Sequence, residues 1–392
     1  MPNIHMKIMK KIKITTPSAI NPFFWYSLFW TISLVLYKIS PSDLNIPLAK
    51  GTSFFIVGTI AFSIFISKIF NDYFRNKIMN LIYIKPSLIG VFLLWFLYIM
   101  DFAYSKNIPL ITHDYKDFGM PTLHVVIVTF STYYAIRVLL QYLFYKTKID
   151  LVVFIAIISY FLLVFSRGLI LFILISGLLG YVSTKKISIK IILIGITVIL
   201  IGSWFFGILG NIRSNLGWND SGLILSVAKI KANRYSLMSP FYWVDEYLVC
   251  SLRNLNYNIV QSNFQDSISG FIYYFIPDFI SKRLITLPPK GAFLVTPEFT
   301  TATMYGNLYT SFGYIAMAIN FLTYVIIAFI AMISKFKNSL FKLETLSIIS
   351  FLFALSMFDN MLWYSGFSFS LIVILIVILI KPYNYRVIIH HD

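Results

Sequence analysis

The residues best equipped for chemistry in this chain are a few arginines and carboxylates set at the edges of apolar runs. A guanidinium is a rigid fork of donors that matches phosphate and pyrophosphate oxygens. Arg167 stands in Ser166-Arg167-Gly168 between two apolar stretches. A charge there is costly in lipid and marks a functional candidate, the alternative being a short turn from which it reaches headgroups. Arg213 closes Gly210-Asn211-Ile212-Arg213, where an apolar run gives way to polar sequence. It could grip the headgroup of a lipid-linked substrate, or simply anchor a helix end. Arg137 lies inside an apolar run, near one end, and structural snorkelling accounts for it. Asp101 and Asp359 fall near the ends of apolar runs; each could pair with an arginine or take a proton from a hydroxyl nucleophile. Asp245, Glu246 and Glu298 are further candidates for that base.

Sugar rings present apolar C–H faces that stack on aromatic rings, so Trp218, Tyr242, Trp243 and Tyr309, with Arg253 and Arg283, form the expected substrate-binding set. General enrichment of Trp and Tyr at membrane interfaces is the alternative for each aromatic. Other chemistries lack their residues. No GxxxxGK[ST] loop, HExxH or Asp-x-Asp pair occurs, and the single cysteine, Cys250, excludes a multi-Cys metal site. No metal and no cofactor are therefore expected. His113-Asp114 with Asp117 is a loose polar cluster of unspecific spacing, and His124 is the one histidine placed to serve a membrane acyltransferase.

The elements that must position these residues are read from composition. With 58% hydrophobic and 12% charged residues, the chain carries about half the charge of a soluble domain and would expose far too much apolar surface in water. Helices of about 20 apolar residues cross a bilayer. Ten such spans are expected, over 22–38, 52–70, 86–104, 122–144, 149–165, 168–184, 187–207, 306–333, 343–358 and 361–380. The basic run Lys7 to Lys13 precedes the first span without a small-residue cleavage site, so that span reads as a retained helix. Spans five and six share the seam 165–168, as a tight hairpin or one long broken pair.

Basic residues collect at alternate span ends. Lys7, Lys10, Lys11, Lys13, Lys68, Arg75, Lys77, Lys85, Lys146, Lys148, Lys185, Lys186, Lys190, Lys335, Lys337, Lys342, Lys381 and Arg386 share one side, against Lys38, Lys50, Lys106, Lys116 and Arg167 on the other. The bias places both termini in the cytoplasm and the one long polar stretch, 208–305, outside. It also explains the net charge of +17 without a nucleic-acid partner. The chain reads as a single membrane domain, 1–392, with that loop inside it. Within the loop, 239–252 could form an amphipathic surface helix, and 268–280 is apolar but too short to span. No internal repeat is seen, which weighs against a secondary transporter.

This all-α polytopic plan of about ten helices with one large late outer loop resembles the bacterial oligosaccharide repeat-unit polymerases, the O-antigen polymerases of Wzy type. Ser166-Arg167-Gly168, Gly210-Asn211-Ile212-Arg213 and Gly306-Asn307-Leu308-Tyr309 through Phe312-Gly313-Tyr314 carry the local likeness. The resemblance covers the chain in architecture, with loose motifs. It implies a fold like that of membrane-embedded, lipid-donor glycosyltransferases in the bacterial inner membrane. The implied reaction moves a growing glycan from an undecaprenyl-pyrophosphate carrier onto a carrier-linked repeat unit on the periplasmic face. Arg167 and Arg213 would hold pyrophosphate, and Asp359, Asp245 or Glu246 would supply the base. The implied partners are the undecaprenyl-pyrophosphate-linked oligosaccharide, the bilayer and a chain-length regulator protein. An O-antigen ligase and a lipid-linked oligosaccharide flippase or other transporter are the rival readings.

Overall fold

The structure, a computed structural model, describes residues 8–112, 118–285, 287–335, 338–380 and 388–389, and of Arg213 the backbone only. His113, Asp114 and Asp117 lie outside the described residues. In lipid every backbone N–H and C=O must find a partner within its own segment, which makes long apolar runs helical. The chain accordingly runs α1 (Pro22–Ile39), α2 (Lys50–Phe74), α3 (Leu88–Ser105), a one-turn α4 (Pro109–Thr112), α5 (Leu123–Tyr145), α6 (Lys148–Leu163), α7 (Arg167–Val182) and α8 (Ile189–Arg213). Four loop helices follow: α9 (Gly222–Val227), α10 (Phe241–Val260), α11 (Ile268–Phe275) and α12 (Asp278–Leu284). The series closes with α13 (Thr303–Ile333), α14 (Ser339–Ala354) and α15 (Ser365–Ile380). Each of the ten apolar stretches folds as a helix. Six of them, α2, α3, α5, α8, α13 and α14, are long and apolar enough to cross a membrane. The 16 residues of α6, α7 and α15 reach only about 24 Å each.

Local sequence sets several helix ends. Asn21 caps α1 by accepting from the Phe23 and Phe24 N–H groups, with Pro22 at the first position, where its missing donor costs nothing. Between α6 and α7 the chain turns in three residues through Phe165 at φ +58°, so the 165–168 seam is a tight hairpin. The centre of the bundle is α14, 94% buried over its apolar window, while α3 and α8 are 11% and 12% buried and lie at the periphery.

The all-α expectation needs one correction. A small sheet orders β1 (Ile8–Lys13) between β2 (Ile78–Ile82), antiparallel, and β3 (Ile388–Ile389), parallel. It forms because the lysine-rich segments converge at one end of the bundle. Ile14 N–H donates to Lys77 O, Thr15 and Thr16 donate to Ser183 O, and Asn338 bonds both backbone groups of Ile82. The segments with few basic residues converge at the opposite end. There Ser40 bonds Asp245, Ala49 N–H donates to Asn256, and Thr122 accepts from Arg283. The two ends read from the charges are thus two ends of the folded chain.

The long loop is a folded cap. A second apolar cluster around Ile224, Leu225, Cys250 and Phe299 supports it. The expected surface helix 239–252 is corrected as well: α10 is buried between α1, α8 and α13. Its polar residues turn inward because they meet polar partners there. Arg253 and Glu246 form a fully buried ion pair at 2.8 Å, and Asn254, Asn256 and Asn258 are buried and hydrogen-bonded to neighbouring backbone.

Candidate functional site

The loop cap meets the bundle over α13, and the irregularity of that helix shapes the meeting place. Inside α13, Phe312 and Gly313 leave helical geometry, with Gly313 at φ +59°, ψ −147°, a region essentially reserved for glycine. The break frees carbonyls, and the chain entering α11 takes them: Gln265 N–H donates to Thr310 O and Ser267 N–H to Ser311 O. The first turns of α13 are thereby held under α11. At its start Thr303 adopts φ +61°, an outlier for a β-branched residue and a place where strain is stored. A backbone bridge to the segment after α14 keeps it there, its N–H donating to Phe358 O at 3.0 Å.

That segment, 358–364, carries Asp359. With α11 and α13 it encloses a cavity of about 280 Å³. Tyr274, Trp363 and Tyr364 supply aromatic faces, Asn307 and Asn360 amides, Thr300 and Thr303 hydroxyls, and Met304 and Leu308 an apolar floor. The rim is tied to the cap at several points. Asn360 donates to Tyr274 O, Trp363 Nε1 to Tyr273 O, and Asp278 N–H to Trp363 O at 2.7 Å. Asp278 also accepts from Ser365; burial works to raise its carboxyl, but bonds from Lys282 and Ser365 outweigh that and hold it below the usual range.

Asp359 is 6% exposed. Tyr364 donates to its Oδ2 at 2.6 Å and the Asn360 N–H to its Oδ1 at 2.7 Å. Burial pushes its carboxyl up to about 6, against the pull of those two bonds. Each carboxylate oxygen has two acceptor sites, so one on each remains for a substrate hydroxyl. A carboxylate with this affinity for protons is ionised at neutral pH yet basic enough to accept one.

The structure brings together some of the residues singled out from sequence and separates others. Asp359 faces the cavity. Arg167 is exposed at the first turn of α7, 5.1 Å from the Phe165 ring centre. That turn lies beside the first turn of α15, where Leu169 is 3.8 Å from the site a Gly366 Cβ would occupy. Arg283, in the last turn of α12, stacks 3.7 Å over Phe279 and donates to Thr122. Both arginines thus sit at the Asp359 end without lining the cavity. Arg213 ends α8. Next to it Asn211 bonds Trp218 O, Ser221 and Trp243.

Glu246 and Arg253 are enclosed with each other, Arg253 also reaching Asn45 and Ser42, so neither presents a face to the cavity. Asp245 lies at the α1 side of the cap. Burial pushes its carboxyl up against the bond from Ser40, and the charge of Glu246 adds to the rise. Trp218 is half exposed, Tyr242 and Trp243 pack on the small loop core, and Tyr309 is buried beside Phe264 and Tyr314.

Two pairings differ from expectation. Arg137 does not snorkel; it is buried against Glu344 of α14 and stacks 3.8 Å over Phe341. Asp101 pairs with no arginine. It is fully buried and accepts from Tyr160 and the Met120 N–H, with His124 Nδ1 at 2.7 Å. Among the described residues no three His, Cys, Asp or Glu side chains gather as a metal site.

Sequence reading missed Asn360, Trp363 and Tyr364. The available signal was the density of polar and aromatic residues in Asp359-Asn360-Met361-Leu362-Trp363-Tyr364, between two apolar runs. Comparison with family models, with curated proteins and with solved structures finds no match.

Proposed function

We propose that this chain is a glycosyltransferase of the bacterial inner membrane, an O-antigen type repeat-unit polymerase that elongates a glycan on the periplasmic face. The observation that carries the reading is the cavity between cap and bundle, where one buried carboxylate, Asp359, stands among aromatic, amide and hydroxyl groups. That is the mixture a sugar needs: rings to stack on, amides and hydroxyls for its hydroxyl groups, and a base for the one that reacts.

In the proposed reaction an acceptor sugar hydroxyl attacks the anomeric carbon of the donor glycan. The new glycosidic C–O bond forms as the bond to the carrier pyrophosphate breaks. The hydroxyl proton passes to an Asp359 carboxylate oxygen, and the carrier leaves with its pyrophosphate. Charge grows on the leaving group, and arginines at the same end of the bundle, Arg167 and Arg283 with Arg213 at the end of α8, would stabilise it as it develops. The lysine-rich end, with the strands 8–13 and 388–389, is then cytoplasmic.

The test is the lipopolysaccharide banding pattern of a strain with the gene deleted and restored. A ladder that collapses to core plus one repeat supports a polymerase, and restoration with Asp359→Asn should leave it collapsed, since a general base contributes roughly 10²–10⁴-fold. Bare core without any repeat would instead indicate a ligase or flippase. An unchanged ladder would falsify the glycan-assembly reading.

A further inference from the structure

The cavity that holds Asp359 also discriminates by charge. Of the ten residues lining it, Asp359 alone is charged at neutral pH, and none is a cation. The nearest cation recorded at the rim is Lys282, whose Nζ lies 5.0 Å over the Trp363 ring. It is already bonded to Asp278 at 2.8 Å. A carboxylate, sulfate or phosphate group on a bound sugar would find no counter-ion here. It would face Asp359 across a space of about 280 Å³. Two like charges about 5 Å apart near a protein surface repel strongly enough to lower affinity about a hundredfold. The groups present are those that bind uncharged polar surface: the Asn307 and Asn360 amides, the threonine hydroxyls, and the Trp363 and Tyr274 rings.

We infer that the sugar occupying this cavity carries no acidic group: the acceptor residue whose hydroxyl is glycosylated is a non-acidic hexose or N-acetylhexosamine, and uronic acids are excluded by Asp359. This rests on the glycosyltransferase reading and adds the class of substrate to it. Acidic sugars elsewhere in the repeat unit are unaffected, because only one residue enters the cavity. The glycosyltransferase that completes the repeat unit must therefore leave a non-acidic sugar at the acceptor position.

The experiment is saturation-transfer NMR on the purified full chain, in a detergent without a sugar head group, at pH 8, where Asp359 is ionised. The probes are methyl glycosides of glucose, N-acetylglucosamine and glucuronic acid, with wild type, Trp363→Ala and Asp359→Asn. The expected result is a signal from a neutral glycoside that Trp363→Ala removes, a glucuronide signal at least tenfold weaker, and recovery of the glucuronide signal in Asp359→Asn. Glucuronide binding to wild type as strongly as the neutral sugars, and equally lost in Trp363→Ala, overturns the charge rule and leaves the sugar site standing. Absence of any Trp363-dependent sugar signal overturns the sugar site itself, and the charge rule with it.

Discussion

Two buried carboxylates in this molecule have opposite surroundings. Glu246, on α10, is fully buried and met by the Arg253 guanidinium through two nitrogens. Asp359, between α14 and α15, is nearly as buried but has no cation, only a phenol and a backbone N–H, and it faces a cavity. The first arrangement cancels the charge and joins α10 to the 42–45 segment, a task of architecture. The second leaves the charge uncompensated, which raises proton affinity and is tolerable only where the strain serves chemistry. Burial alone does not separate a structural acid from a reactive one; the partner does.

The contrast can be broken most severely at the ion pair. Glu246→Gln or Arg253→Met leaves one buried charge alone and should cost about 3–5 kcal/mol, read as a large fall in unfolding temperature in detergent or as failure to accumulate. If either variant is as stable as wild type, the architectural role assigned to the pair is wrong.

Asp359 should behave in the opposite sense. Its folded affinity for protons is raised from 3.8 to about 6, so it contributes full stability only below about pH 4. That contribution is lost as pH rises to 6 and beyond. The loss is on the order of 2–3 kcal/mol. Asp359→Asn should therefore be more stable than wild type at pH 8 and no more stable at pH 4. A melting temperature that falls at pH 8 would show the carboxylate to be structural after all.

Smaller effects sharpen the picture. Gly313→Ala forces a side chain into glycine-only backbone space and should cost about 1–3 kcal/mol, with the ladder shortened because the floor of the cavity shifts. Unchanged stability would remove the kink from the account. The smallest effect is expected from Tyr364→Phe. Its hydroxyl bond draws the Asp359 carboxyl down, so removing it should move the acidic limb of the pH–activity profile to higher pH without abolishing activity. An unmoved limb would mean that Asp359 does not set the profile.

Much of the fold was legible because lipid and water impose simple rules. All ten apolar runs are helices, and Lys77, Lys185 and the 10–13 strand gather at one end as their charges require. The small sheet was not legible, because Ile8–Lys13 and Ile78–Ile82 are short, mixed in polarity and 65 residues or more apart, so neither shows its partner. The fate of α10 was hidden for a related reason. Its Asp, Glu, Arg and Asn residues suit a solvated face equally well until the 42–49 segment and α13 supply partners. At the candidate site, Asp359 was legible as an acid at a span end. Asn307 stood in a stretch noted on other grounds. Trp363 and Tyr364 were hidden, since the apolar run after Asp359 was taken to begin two residues later.

The sequence by itself determined where helices form, which ends of them share a face and that one long segment lies apart from the apolar runs. Those properties follow from local composition and the energy of placing charge and backbone in lipid. Only the tertiary structure decided that Glu246 meets Arg253, that Asp101 meets His124, and that Asp359 meets no cation but a cavity roofed by α11. A carboxylate's chemistry depends on what lies within a few ångströms of it, and those neighbours come from segments far away along the chain.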